Sequence, residues 1–151
     1  MERIWIYQAS RLLTATEEEH VAHKLAAFTE QWKVHGQPLA ASVELKYHLF
    51  VILAVDESFA TPSGCSIDTS VRMLQELEQE LGLSFLDRMQ IAYRKGEEIV
   101  VVPRAGFEAL IAAGEVTGDT IVFNNLASTR NELLTQWEVP FKQSWHAKVF
   151  A

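Results

Sequence analysis

The chain of 151 residues has little cysteine and no long apolar run. Cys65 is the only cysteine, so no disulfide can form within the chain. The longest apolar run, residues 49–55, is far shorter than the ~20 residues that span a bilayer. The apolar run near the N-terminus is too short for a signal peptide. These absences predict a cytoplasmic protein without a membrane segment.

Positive charge is also scarce. Lys and Arg number 13 against 20 Asp and Glu, which gives a net charge of −7. Such a field repels phosphate backbones and anionic membranes. The basic residues Arg88, Arg94, Lys95 and Arg104 are spread over 17 positions and form no basic run. We therefore expect neither nucleic acid nor membrane as a partner.

What the chain does have is enough apolar material for a core. The hydrophobic fraction is 48%, so folding requires neither disulfides nor a metal, and no cofactor is indicated. The length suits a single domain over residues 1–151. No linker, repeat or low-complexity segment interrupts it.

The first half of the chain predicts a strand, a helix and a second strand. Thr16 and Glu19 fit a capping box for a helix over about residues 17–34, which the pair His35-Gly36 would end. One apolar stripe is predicted on this helix, formed at spacings of four, three and four by Val21, Leu25, Phe28 and Trp32. Residues 42–55 alternate and form either one long strand or a hairpin that turns near Tyr47-His48. The absence of glycine and asparagine there favours one strand.

The second half predicts a helix closed by Gly82, a hairpin, a helix after Pro103, a strand and a final helix opened by the capping box Thr129–Glu132. The element order is β-α-β-α-β-β-α-β-α. It predicts an α/β or α+β fold, with helices packed on a mixed sheet of about five strands. The apolar tail, residues 145–150, packs on the domain or on a partner subunit in a homodimer.

The segment over residues 61–70 carries the chemistry that stands out. It follows the most apolar strand and precedes a helix, where ligands bind if the neighbouring strands are parallel. Backbone N–H groups at Ser63, Gly64 and Ser66 can bind a small anion, and Asp68 completes the predicted ligand-binding set. Asp68, Ser66 or Thr69 could also cap the helix. A plain turn uses the same small residues.

Cys65 lies at the start of that helix, where a thiolate is stabilised. As a nucleophile it would need a base, for which His35 and Asp56 are the best-placed candidates. Cys65 equally fits a small apolar side chain packed in the core.

Several known motifs are excluded by spacing. A phosphatase loop needs an arginine after five residues, but Arg72 comes after six. No Gly-Lys pair exists, so there is no phosphate-binding P-loop. Glu19, His20 and His23 lack the order of a zinc hydrolase motif and are typical of a solvated helix start, so we predict no metal site.

The sequence resembles a family of short bacterial proteins commonly labelled "ABC transporter ATPase". The similarity covers the whole chain and is carried by these segments: Trp32-x-x-His35-Gly36, Val55-Asp56-Glu57, Ser63-Gly64-Cys65-Ser66-Ile67-Asp68, Phe85-x-Asp87-Arg88, Phe123-Asn124-Asn125 and Ser144-Trp145. Without a Gly-Lys-Ser/Thr loop the label does not predict ATP hydrolysis.

Three functions remain open. The leading hypothesis is a non-enzymatic protein whose 61–70 segment binds a small anion or a protein partner. The alternative is a cysteine-dependent enzyme with Cys65 as the nucleophile. The third is a structural subunit with Cys65 buried.

Overall fold

The computed structural model describes residues 2–150. Within them the protein is a mixture of five α-helices and three small antiparallel sheets. The chain divides into two compact units, of which the first runs to Leu86 and includes Ser128–Arg130, and the second holds the rest. The single domain remains a prediction.

The first unit is built from two long helices and a three-stranded sheet. Its elements are β1 (Glu2–Gln8), α1 (Ala15–Gln31), β2 (Lys33–Val34), β3 (Gln37–Pro38), β4 (Ala41–Lys46), β5 (Phe50–Asp56) and α2 (Gly64–Leu81). The sheet order is β1-β5-β4, with β5 antiparallel to both neighbours. β5 is buried from Phe50 to Val55, as its continuous apolar run predicts.

The predicted mixed sheet of about five strands is wrong. The strands form separate sheets of three, two and four strands, and every pairing between them is antiparallel. The segment over residues 61–70 therefore follows a strand without parallel neighbours. The physical argument for a ligand site at the carboxyl end of parallel strands does not apply to it.

Residues 42–55 form a hairpin, so the preferred interpretation of one long strand is also wrong. Tyr47 and His48 both have φ 57°, and the N–H of Leu49 donates to the Lys46 carbonyl. These are the backbone angles of a type I′ turn, which glycine and asparagine usually supply. The turn is held by its surroundings, because the His48 carbonyl accepts from the Leu13 N–H and its imidazole pairs with Glu18.

The start and end of α1 differ from the prediction by two or three residues. Thr14, not Thr16, caps the helix, and Glu17 closes the capping box. The helix ends at Gln31, and His35-Gly36 form the turn of the β2–β3 hairpin instead of a helix cap. The predicted apolar stripe is confirmed, since Val21, Leu25 and Phe28 are buried in α1.

One face of the first sheet is covered by both helices. Phe28 of α1 packs with Val55 of β5, and Trp5 of β1 and Met73 of α2 pack against the same cluster. At the β1 edge, Thr129 forms an antiparallel β-bridge with Arg3. The Ile4 N–H donates to the Ser128 carbonyl. A short piece of distant chain thus extends this sheet.

The second unit is a four-stranded sheet with three helices and a short 3-10 helix. Its elements are β6 (Gln90–Lys95), β7 (Glu98–Pro103), α3 (Arg104–Ala112), β8 (Ile121–Phe123), α4 (Arg130–Gln136, whose first residue belongs to the first unit), β9 (Glu138–Pro140), the 3-10 helix Phe141–Gln143 and α5 (Trp145–Phe150). The predicted hairpin is confirmed as β6–β7. The tail forms α5, where Phe150 packs edge-on against Phe107 at 5.1 Å between ring centroids.

Two glycines at the ends of α2 offer a matched test of backbone strain. A Cβ at Gly64 or at Gly82 would meet no atom within 4 Å, but only Gly82 has a positive φ, at 66°. We expect Gly82→Ala to lower the free energy of unfolding by about 1 kcal/mol. Gly64→Ala should leave it unchanged or raise it by up to about 1 kcal/mol. Urea denaturation measures both, and equal losses would contradict this account of the cap.

Candidate functional site

The segment over residues 61–70 is mostly the first turns of α2. The helix begins at Gly64, and the Ser63 hydroxyl caps it by accepting the Ser66 N–H at 3.2 Å. The role given to Asp68 as a cap is therefore wrong, since it lies inside the helix and is exposed. Ser63 occupies the cap because it is the last residue with extended backbone before the helix.

Ser66 joins α2 to the end of α1. Its hydroxyl donates to the Lys33 carbonyl at 2.8 Å, and its carbonyl accepts the Trp32 indole N–H at 2.8 Å. Ser66 is 4% exposed and Trp32 3%, so the Trp32–Ser66 bond is buried, whereas the bond to Lys33 is partly buried. We call these two hydrogen bonds the Trp32–Ser66–Lys33 clasp.

The predicted ligand-binding residues fall into two groups, one that makes hydrogen bonds within the protein and one that is exposed. Ser63 and Ser66 lie 3.1 Å apart through their hydroxyl oxygens and are engaged in the cap and the clasp. Gly64 and Asp68 face solvent. The hydroxyl groups of Ser63 and Ser66 therefore stabilise the helix start and its contact with the end of α1.

The predicted catalytic residues do not form a hydrogen-bonded set. Cys65 is exposed, and no described residue makes a hydrogen bond to its thiol. His35 lies exposed in the β2–β3 turn. Asp56 accepts the Ser58 N–H at 3.0 Å, and this backbone hydrogen bond holds the pKa of its carboxyl below the usual range. Asp56 thus stabilises a turn. Cys65 is exposed, whereas the structural-subunit hypothesis expected it to be buried.

A groove that can accept a ligand lies between α1 and α2 in the first unit. Its volume is about 690 Å³, within the ~300–1,000 Å³ of small-molecule sites. It is lined by residues of both helices and of the chain just after α1: His20, His23, Lys24, Ala27, Phe28, Gln31, Trp32, Lys33, Thr69, Met73 and Glu80. His20 and His23 are the two histidines that the sequence pattern assigned to a solvated helix start.

The two ends of the groove follow from the direction of the helices. His20 of α1 lies 3.0 Å from Glu80 near the end of α2, whereas Trp32 and Lys33 bond to Ser66 near its start. The helices are therefore antiparallel. One end of the groove carries His20, Lys24 and Glu80, and the other carries Lys33 and Thr69.

The charges at the first end neutralise one another. Lys24 contacts both Glu80 oxygens, at 2.7 and 2.9 Å, and reaches Glu76 at 3.2 Å. The hydrogen bonds from Lys24 and then His20 lower the pKa of Glu80, and the bond to Glu80 raises the pKa of Lys24. Glu80 is therefore an anion that is already paired.

The floor of the groove is apolar. Phe28 and Trp32 lie 5.1 Å apart between ring centroids, with Met73 packed against their cluster. Sequence periodicity placed Phe28 and Trp32 on the buried stripe, but it did not pair α1 with α2. The signal that could have found the groove is the stripe of α2 residues Thr69, Met73, Glu76 and Glu80, at spacings of four, three and four. Three of these residues are polar and Met73 is apolar.

Comparisons with known proteins add no assignment. No family model matches the sequence, and no curated protein or solved structure matches it. The resemblance to the short bacterial family stays a prediction. Within residues 2–150, no helix is both long and apolar enough to cross a bilayer, and no three His, Cys, Asp or Glu side chains are arranged to hold a metal ion.

His146 of α5 lies in the core of the second unit. It is 2% exposed, stacks on Trp145 at 3.8 Å, and its Nδ1 has no hydrogen-bond partner. Burial lowers the pKa of His146 to about 4. It is a core side chain that folds in the neutral form.

The buried His146 predicts a loss of stability in acid. Its pKa is about 4 in the folded protein and about 6.5 when unfolded, so protons favour the unfolded chain as pH falls from 6.5 to 4. Between pH 7 and 4.5 the free energy of unfolding should fall by about 2 kcal/mol through this residue. His146→Phe should remove that part of the pH dependence, whereas His23→Gln, on an exposed site, should keep it. Urea titrations at several pH values measure the slopes, and unchanged slopes in His146→Phe would contradict the assignment.

The exposure of Cys65 predicts labelling of the native protein. One equivalent of iodoacetamide should react without denaturant, since the thiol is exposed and is the only one. Cys65→Ser should take up no label and should unfold at the same urea concentration as the unsubstituted chain. Intact-mass spectrometry gives the stoichiometry. Labelling that begins only in denaturant would show that the thiol is covered.

Proposed function

We propose that the protein is a non-enzymatic binding protein for a small organic molecule, which lies in the groove between α1 and α2. The groove of about 690 Å³ carries this proposal. Of the segment over residues 61–70, only Thr69 lines the groove, and the predicted ligand-binding residues Ser63, Gly64, Ser66 and Asp68 do not. The cytoplasmic location belongs to the same proposal.

The make-up of the groove supports a small molecule as the ligand. Such sites combine an apolar surface with a few polar groups that fix orientation. Here Phe28, Trp32 and Met73 supply the apolar surface, and lysine, histidine and glutamine side chains supply the polar border.

The rigidity of the walls supports the same function. The Trp32–Ser66–Lys33 clasp joins one end of the helix pair, and the Lys24–Glu80 ion pair joins the other. A preformed site orders few groups when the ligand binds, which reduces the entropic cost of binding.

A cysteine-dependent enzyme is the second candidate, and the exposed Cys65 favours it. This function needs a base within about 3 Å of the thiol or connected to it by one water. The candidates His35 and Asp56 make no hydrogen bond to Cys65, and Asp56 is engaged at Ser58. The enzyme would therefore need His35 or Asp56 to move to the Cys65 thiol, whereas the binding function needs no such movement.

Two neighbouring alanines allow a matched test. Ala26 and Ala27 are both exposed on α1, but only Ala27 lines the groove. We expect the neutral probe 1-naphthylacetamide to shift amide resonances around Phe28 and Met73 in the full chain. Ala27→Trp should weaken that binding about tenfold or more by occupying the groove, equivalent to about 1.4 kcal/mol. Ala26→Trp should leave it unchanged.

Two different results of this test would contradict the proposed function. If the probe binds to neither protein nor variant, the groove is not a site for small apolar molecules. If the unsubstituted chain and both variants bind the probe equally well, the probe binds outside the groove. Either result would overturn the proposed function.

A further inference from the structure

We propose that the ligand of the groove is an organic anion, with its charged group at Lys33 and its apolar body along Phe28 and Met73. The proposal rests on the proposed function and specifies the chemical class of the ligand. It follows from how charge is distributed between the two ends of the groove.

Lys33 is the cation of the groove without an acidic partner. No described carboxylate lies within ion-pair distance of its ammonium group, whereas Lys24 pairs with both Glu76 and Glu80. A lysine ammonium is a mobile point charge with three donors, suited to a carboxylate or a phosphate. The Lys33 end is therefore the end that can accept a negative group.

The backbone that carries Lys33 is fixed. Its carbonyl accepts the Ser66 hydroxyl at 2.8 Å, and the residue pairs with Pro38 in the β2–β3 hairpin. Only the side chain needs to be ordered when an anion binds. The exposed Gln31 carboxamide also lines this end and can donate a second hydrogen bond.

The opposite end discriminates against a second negative group. Glu80 is held ionised by Lys24 and His20, and Lys24 also contacts the Glu76 carboxylate at 3.2 Å. A second anionic group there would meet two carboxylates around one ammonium. This arrangement favours a ligand with one charged end.

The dimensions of the groove set the size of the ligand. His20 and Gln31 lie eleven residues apart on α1, or about 16 Å at 1.5 Å per residue. The apolar residues Ala27, Phe28 and Met73 lie between these ends. A molecule with a two-ring or similar apolar body and one carboxylate matches this order of surfaces.

Because the protein is negatively charged overall, binding of an anion depends on a nearby cation, which is Lys33. At −7 the protein as a whole repels anions, so a preference for an anion must come from the site itself. Salt should weaken the preference for an anion, because Lys33 is exposed and its charge is screened by ions in the solvent.

A pair of probes of one shape isolates the charge. 1-Naphthylacetate and 1-naphthylacetamide differ in the carboxylate, and titration of the full chain by NMR gives a Kd for each. We expect the acetate to bind about three- to tenfold more tightly than the amide at low salt, an effect that 0.5 M NaCl largely removes. Lys33→Gln should weaken the acetate to the level of the amide and leave the amide unchanged. Lys95→Gln, an exposed lysine in the β6–β7 hairpin, should change neither.

The outcomes separate the two proposals. If both probes bind equally and Lys33→Gln changes neither, the groove binds small molecules but the assignment to anions is overturned. That assignment is also overturned if Lys95→Gln weakens the acetate as much as Lys33→Gln does, since the effect would then be general charge. If neither probe binds, the proposed function fails first. Circular dichroism of each variant verifies that the helices are intact, and the salt dependence of the unsubstituted chain tests the charge without any substitution.

Discussion

The end of α1 is tied to the first turn of α2 by two hydrogen bonds, and the rest of the candidate site depends on them. Trp32 donates to the carbonyl of Ser66, and Ser66 donates to the carbonyl of Lys33. Each buried group would lose a partner if the helices separated, at a cost of about 1–3 kcal/mol per group. The clasp sets the antiparallel direction of the helices, and that direction places Lys33 and the start of α2 at one end of the groove.

The clasp also explains why the segment over residues 61–70 is not the ligand site that its composition indicates. Small hydroxyl residues suit an anion loop and a helix start equally well, because both need donors and acceptors close to the backbone. Here Ser63 is the cap and Ser66 is buried against the end of α1. The same chemistry is used to join two helices, while Cys65 between them is left in solvent.

Local patterns predicted most of the helices and one hairpin correctly. Val21, Leu25 and Phe28 are buried at their predicted helical spacing, and Gly82 ends α2 in the left-handed conformation. The turn at Tyr47-His48 could not be predicted in this way, because neither residue favours positive φ. Contacts from distant residues hold it, and no local pattern contains them.

Length, the single cysteine, the acidic balance and the periodicity of α1 and α2 were determined by the sequence alone, since each depends on residue identity or on short spacings. Tertiary structure decided which strands pair, which helix faces meet and which charges remain unpaired. Glu80 and Lys24 are 56 residues apart in the chain and in contact in the fold, whereas Lys33 has no such partner among the described residues. The groove exists only because two largely polar helix faces come together across a floor that Phe28, Trp32 and Met73 form.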